Sequence, residues 1–281
     1  MSQMRVKNRT AVITGAGSGI GRALSLNLAS QGCHLALADL NEASLAETAA
    51  LAQTNGLRIS THVLDVASRE QVAALPAAVL GVHPGVDLLF NNAGVALGGM
   101  FAQLSEAEFD WLFDINFNGL VRMTRAFLPV LHASDDARLI NVSSLFGIIA
   151  PPGQSAYSAS KFAVRGFSEA LRHELEGSSI GVTVVHPGGI ATQIAKSARI
   201  ASAIGNSTDV ERMRRQFNKV LKLDPARAAE IILHGVTHRK ARVLVGNDAK
   251  IAVALERIAP VSYWNFLKKL LPTSRRELNP G

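Results

Sequence analysis

Short runs made almost wholly of apolar residues alternate along this chain with longer stretches whose apolar positions recur every three or four residues. Residues 11–14 (Ala-Val-Ile-Thr) read as a strand, and 20–31 as a helix with Ala23, Leu24 and Leu28 at helical spacing. The alternation continues through strand 34–39, Ala-rich helix 42–54, strand 58–65, helix 68–79 opened by the capping-type Ser68, and strand 86–90. Ser105-Glu106-Ala107-Glu108 predicts the start of a long helix reaching about residue 131. Strand 138–142, helix 155–175 and strand 180–186 follow. A helix over 225–238 is capped by Asp224 with Pro225 at its first position, and 241–245 reads as a last strand. Strands alternating with helices imply βαβ units and a parallel sheet; apolar strands imply that helices cover both its faces. Residues 190–224 interrupt the alternation. With no repeat and no Pro- or Gly-rich linker, the expectation is one domain over 1–281. The segment 190–224 is expected to form a substrate lid within it, and 247–281 a helical extension.

Composition narrows the class. Of 281 residues, 48% are hydrophobic and 18% charged, which excludes disorder and supplies a large core. The single cysteine, Cys33, excludes an internal disulfide and a multi-cysteine zinc site, and no H-E-x-x-H pattern exists, so no metal is expected. A reducing, cytoplasmic setting suits this cysteine usage. The apolar run 11–13 is too short for a signal peptide, and no stretch approaches a membrane span.

The formal charge of +7 is unevenly placed. Residues 1–189 hold 12 Lys or Arg against 15 Asp or Glu; residues 190–281 hold 17 against 7. The excess base lies wholly in the last third. Nucleic-acid binding could therefore concern only the tail, where basic residues alternate with core-type apolar ones and no base-reading motif is visible.

The first strand runs into Thr14-Gly15-Ala16-Gly17-Ser18-Gly19-Ile20-Gly21. Glycines let a backbone turn tightly against a pyrophosphate, and the next helix presents free N–H groups to the anion. A strand before and a helix after favour dinucleotide binding over a purely structural turn. Asp39 ends the second strand, 18 residues after Gly21. A carboxylate there can bond both adenosine ribose hydroxyls of NAD and would repel the 2′-phosphate of NADP; the alternative is a helix cap. Neither Ser18 nor Leu40 offers a cation to that phosphate. Asp65, placed at the end of the third strand, could meet the adenine amino group or serve as a cap.

Tyr157 and Lys161 stand at i and i+4 on a predicted helix, sharing one face. A nearby ammonium favours phenolate and would lower the phenol's pKa from ~10, so that Tyr157 could exchange a proton with an alcohol or carbonyl oxygen. Ser144, 13 residues earlier and just past a buried strand, could hold the same oxygen. Alone, such a Tyr–Lys pair could equally be a surface pair.

In order along the chain stand T-G-x-x-x-G-x-G at 14–21, Asn91-Asn92-Ala93-Gly94, Ser144, Tyr157 with Lys161, and Pro187-Gly188. Together these resemble the short-chain dehydrogenase/reductase family in its common non-extended form, over roughly residues 5–250. The resemblance implies a Rossmann-type, doubly wound sheet of seven strands that binds NAD(H) or NADP(H). It also implies a dimer or tetramer built on the helices near 105–131 and 155–176. Tyr157 matches the general acid/base, Lys161 the residue that lowers the phenol pKa and holds the nicotinamide ribose, and Ser144, rather than Ser143, the carbonyl-orienting serine. Asn116, rather than Asn118, matches the helix asparagine of a water-borne proton relay to the lysine. Gly15, Ser18, Gly19, Ile20, Gly21, Asp39, Asp65, Val66, Asn92, Ala93, Gly94, Pro187, Gly188, Ile190 and Thr192 fall where the cofactor would be met, together with Tyr157 and Lys161. The implied reaction interconverts a secondary alcohol and a ketone, with NAD preferred over NADP. Some relatives have become non-catalytic nucleotide-binding sensors or scaffolds, but such a loss predicts damage to Ser144, Tyr157 or Lys161, which are intact.

The substrate is less legible. Met213, Phe217, Val220 and Leu221 give residues 212–221 an amphipathic pattern with a basic outer face. That suits a solvated lid, a site for an anionic 3-oxoacyl thioester, or contact with anionic lipid. Residues 260–271 mix Tyr, Trp, Phe, Leu and Lys, as a membrane-interface segment or a helix packed on the body would. Bilayer-associating family members act on steroid- or retinoid-like alcohols, so a bulky, apolar alcohol or ketone is the expected substrate.

Overall fold

A computed structural model describes residues 3–54, 56–195, 197–204, 211 and 221–270. Seven strands form one parallel sheet: β1 (Thr10–Thr14), β2 (His34–Asp39), β3 (Ile59–Val63), β4 (Leu88–Asn91), β6 (Ala137–Val142), β7 (Ile180–Pro187) and β9 (Arg242–Val245). Their order is β3-β2-β1-β4-β6-β7-β9, the doubly wound arrangement. Helices among the described residues include α1 (Gly19–Ser30), α2 (Glu42–Ala52), α3 (Arg69–Leu80), α4 (Glu106–Phe113), α5 (Leu120–His132), α6 (Ser155–Glu174), α7 (Pro225–Thr237), α8 (Asn247–Ile258) and α9 (Tyr263–Leu270).

The central strands are largely apolar because each serves two cores, whereas the edge strand β3 (Ile-Ser-Thr-His-Val) is mixed and only partly buried. Ala11 and Ile13 point to one face, where Leu24 and Leu28 of α1 meet Ile232 and Val236 of α7. Val12, between them, points to the other, where Phe127 and Leu131 of α5 pack with Val79 of α3. Helix starts obey local chemistry. Ser68 accepts the Gln71 N–H, Asp224 the Ala226 N–H with Pro225 in the first turn, and Ser105 forms a reciprocal capping box with Glu108.

Two features depart from the expected pattern. The long helix from Ser105 is continuous in course, but Asp114–Gly119 is a π segment joining α4 to α5. In addition, β5 (Leu97–Gly98) and β8 (Arg199–Ile200) pair in a separate two-stranded sheet, too short for any periodicity to show. That pair anchors one part of the 190–224 segment, reinforced by Arg199 stacked 3.7 Å over the Trp111 ring and by the Ser202 N–H donated to Glu108. Its two ends meet at the Ile190–Leu223 bridge. The amphipathic stretch 212–220 lies outside the described residues.

At the C-terminus, Tyr263, Trp264 and Leu267 pack on Leu145, Phe146 and Ile149 of the body. Among the described residues no helix is long and apolar enough to cross a membrane.

Candidate active site

The carboxyl ends of the strands collect the expected residues along one edge of the sheet. The order reverses at β1, between β2 and β4, where a doubly wound sheet opens its ligand crevice. Thr14 joins the two sides: its Oγ1 donates to the Phe90 carbonyl (3.2 Å) and accepts the N–H groups of Asn92 and Ala93 (both 3.0 Å). The Asn92 amide donates back to Thr14 O (2.9 Å) and Gly15 O (3.3 Å). Gly15 and Gly19 have φ of +66° and +53°, which only glycine adopts without strain. A Cβ on Gly21 would overlap the Gly15 carbonyl, so this glycine lets α1 sit directly on the turn. Ser18 is exposed at the helix start with its side chain making no cap bond, and Ile20 is partly buried behind it.

Asp39 is not the cap of α2; Asn41 is. The Asp39 carboxylate instead accepts the Gly17 N–H (2.8 Å) through one oxygen and the Asn41 N–H (2.9 Å) through the other, at the mouth of the glycine turn. Nearby, Arg22 donates to the Gly17 carbonyl (2.7 Å) and pairs with Glu47 (2.7 Å). Sequence reading passed over this cation; its only signal was its place one residue past the glycine motif. Asp65 lies beyond the end of β3, which stops at Val63, and its Oδ1 accepts the Ala67 N–H (2.8 Å), shaping the loop. Val66 is buried against Gly119 of the π segment. A cleft of about 1150 Å³ is lined by Gly17, Ser18, Gly19 and Arg22 on one side and Thr192 on the other. Pro187 ends β7 beside Val245; Gly188, the buried Ile190 and Thr192 come next in the same loop.

The second group lies across Gly94. Lys161 is 3% exposed, and its ammonium donates to the Val142 carbonyl at 3.2 Å. Asn116, carried by the π segment, clamps the Val95 backbone: its Oδ1 accepts the N–H (2.8 Å) and its Nδ2 donates to the C=O (3.0 Å). A Cβ on Gly94 would stand 3.1 Å from Asn116 Oδ1 and 3.3 Å from Lys161 Nζ, so both polar groups converge there. Asn118, the alternative, is exposed, and among the described residues its side chain donates to Asp114 on the helix surface. The neighbouring serines also separate. Ser143 Oγ donates to the Lys161 carbonyl (2.8 Å) and is buried. Ser144 Oγ accepts the Phe146 N–H (3.1 Å), which leaves its own proton to give.

Tyr157 faces Ser144, and its ring meets Phe146 edge-on (centroids 6.1 Å) and Lys161 Nζ at 5.8 Å. The expected lowering of the phenol pKa by Lys161 is not what this geometry gives. Burial pushes the phenol up, and the bond with Ser144 offsets only part of that. Burial also pushes the Lys161 ammonium down, to about 8. His186, on β7, lies 2.9 Å by its Nδ1 from the Ser144 carbonyl and supports that turn from below.

The family model described as short chain dehydrogenase matches residues 9–203. The chain belongs to the short-chain dehydrogenase family. Among its relatives, SadH of Mycobacterium tuberculosis, named an oxidoreductase, is 46% identical over 260 residues, covering 92% of this chain and 93% of SadH. A short-chain dehydrogenase from Burkholderia phymatum, solved in complex with NAD, superimposes with a TM-score of 0.83 at 30% identity, covering 96% of this chain and 98% of that one. An alcohol dehydrogenase from the archaeon Thermococcus sibiricus, complexed with 5-hydroxy-NADP, gives a TM-score of 0.72 at 26% identity, covering 84% and 95%. This short-chain dehydrogenase is therefore an oxidoreductase of a nicotinamide-binding fold, and its neighbours include both NAD and NADP complexes.

Proposed function

We propose that this oxidoreductase interconverts a bulky, apolar secondary alcohol and its ketone with NAD as the preferred hydride carrier. The observation that carries the reading is the convergence of Ser144, Tyr157, Lys161 and Asn116 at the carboxyl edge, beside a glycine turn fit for a pyrophosphate. The cofactor, held by Gly15–Gly21, Asp39, Asn92 and the 187–192 loop, supplies the redox chemistry. The chain's own residues handle the proton. Ser144 donates a hydrogen bond to the substrate oxygen, Tyr157 alone takes up or returns the proton there, and the Lys161 ammonium holds positive charge beside it, with water near Lys161 and Asn116 exchanging the proton with solvent. Apolar surroundings support the substrate class: Tyr157 packs in a cluster with Val95, Leu97, Leu104 and Phe109, and its ring meets Phe146 edge-on.

A screen of alcohols graded by size and charge, run with NAD and with NADP, tests this. The expected result is turnover concentrated on bulky apolar secondary alcohols. Activity confined to anionic acyl thioesters would overturn the substrate class. Tight nucleotide binding with no turnover of any alcohol would make the protein a sensor.

The preference for NAD rests on Asp39, poised at the turn, and on Arg22, already engaged by Gly17 and Glu47. Asp39→Ala is expected to lower kcat/KM for NAD about 10- to 100-fold, the range of a lost charged hydrogen bond, and to move the NAD/NADP ratio toward NADP. An unchanged ratio would remove Asp39 from cofactor choice.

A further inference from the structure

The glycine turn, the serine turn and the catalytic helix all precede residue 190, yet two of the loops around the site are held by side chains from the last 35 residues. Gly188 and Gly189 come directly after β7. The Gly188 N–H is taken by the Val245 carbonyl (2.9 Å), and the Gly189 N–H is taken by Asp248 Oδ2 in the first turn of α8 (2.6 Å). Two glycines make room for that carboxylate: a Cβ at Gly188 or at Gly246 would overlap it. The Gly189 carbonyl in turn accepts the N–H groups of Lys222 and Leu223, so one residue joins α8 to the end of the 190–224 segment. At the other end of the helix pair, Tyr263 Oη accepts the Ala150 N–H (2.9 Å) in the stretch after Ser144. Between these points Ala249, Ala252 and Val253 of α8 and Tyr263, Trp264 and Leu267 of α9 pack in one cluster with Leu145, Phe146 and Ile149. Phe146 is the ring that meets Tyr157 edge-on.

We propose that α8 and α9 form a clamp in which Asp248 positions the nicotinamide-side loop and Tyr263 positions the serine loop, so that the two halves of the site are held in mutual register by one rigid pair of helices. This rests on the alcohol-dehydrogenase reading above. Loops are the mobile part of such folds, and reacting groups must be held to within about 0.5 Å; a backbone N–H fixed by a side-chain acceptor on a helix supplies that constraint. Asp248 and Tyr263 are positioning residues and touch neither substrate nor cofactor in this scheme.

The test uses the full chain and three variants: Asp248→Ala, Asp248→Asn and Tyr263→Phe. NADH binding is measured by fluorescence, kcat and KM by steady-state turnover, and the Gly189 and Ala150 amides by hydrogen exchange. Asp248→Ala is expected to weaken NADH binding about tenfold and to speed exchange at Gly189. Asp248→Asn keeps an oxygen that can accept the Gly189 N–H and should restore most of that loss. Tyr263→Phe keeps the ring and loses the acceptor. It should lower kcat about three- to tenfold, free the Ala150 amide and leave NADH binding near the wild type. The clamp is overturned if Asp248→Ala binds NADH like the wild type, or if Asp248→Asn is as damaged as Asp248→Ala, since helix charge rather than the Gly189 bond would then be at work. Should Asp248→Ala fold poorly, unprotected Gly189 and Ala150 amides in the wild type overturn it equally. A wild type that binds NADH but turns over no alcohol would sink the enzyme reading, while NADH binding and exchange still decide the clamp.

Discussion

Tyr157→Phe loses about a hundred- to ten-thousandfold in kcat while NADH binding stays within about twofold of the wild type. General acid–base catalysis is worth about 10²–10⁴ in rate, and the phenol is the group facing Ser144 that can exchange a proton at the reacting oxygen. The ring itself remains in the variant, so its edge-on contact with Phe146 and its place in the apolar wall persist. The pH dependence carries a sign. Burial raises the phenol above its ordinary value and leaves Lys161 at about 8, so phenolate is scarce near neutrality. Oxidation of the alcohol needs phenolate and should keep accelerating as pH rises toward the raised phenol value, beyond the point where Lys161 loses its proton; ketone reduction needs the neutral phenol and should not. Steady-state rates in both directions, with NADH titrated separately, check this. Near wild-type turnover by Tyr157→Phe would remove it from the proton path.

Gly21→Ala is the second large effect, and it acts through the backbone. The new methyl would overlap the Gly15 carbonyl and press on the Asn92 amide, whose bonds to Thr14 and Gly15 join β4 to the turn. Either α1 lifts from the turn or the turn leaves the sheet. Overpacking of this kind costs about 1–3 kcal/mol, and the turn it displaces is the one expected to receive the pyrophosphate. NADH binding should fall at least about a hundredfold, with a lowered Tm. Gly166→Ala is the control. That glycine lies mid-helix in α6 with nothing within 4 Å of its would-be Cβ, so alanine should raise stability by roughly 0.5–1 kcal/mol. Nucleotide binding by Gly21→Ala equal to the wild type would mean that the turn does not meet the cofactor.

The central strands were legible because they are apolar on both faces, a signal that does not depend on knowing their partners; the edge strand β3, with Ser60, Thr61 and His62, lacks it. Ser68, Asp224 and Pro225 marked helix starts for the same reason: capping is local chemistry. The site was legible in its residue types and spacing, and less so in its connections. The family resemblance favours Ser144 over Ser143, but the physical distinction, a Ser143 hydroxyl already bonded to the Lys161 carbonyl, is a tertiary fact. Asp39 could have been a cap until Asn41 was seen to hold that place. The bond from Gly189 to Asp248 spans 59 positions and that from Ala150 to Tyr263 spans 113, with no motif at either end. Nor does residue spacing foretell that burial outweighs a neighbouring bond at Tyr157.

The π segment at Asp114–Gly119 has a consequence for the helix that contains it. In the sequence, the apolar stripe that starts at Leu112 and Ile115 meets Asn118 and Gly119 at the next helical positions and resumes at Leu120, running on to Leu131. In space it is divided: Leu112 belongs to the cluster that includes Tyr157, whereas Met123, Phe127 and Leu131 belong to the core beneath the sheet. Widening a turn by one residue rotates the downstream helix by about 100° relative to a uniform one, and this phase shift lets one stripe address two cores. Asn116 sits inside the wide turn, where it grips the Val95 backbone. Shortening the turn to a regular α-helical one would improve helical hydrogen bonding and would swing Asn116 out of the site or α5 off the sheet. Helical regularity and the placement of Asn116 are therefore in direct conflict at this point, and a one-residue deletion, harmless in a surface loop, is not neutral here.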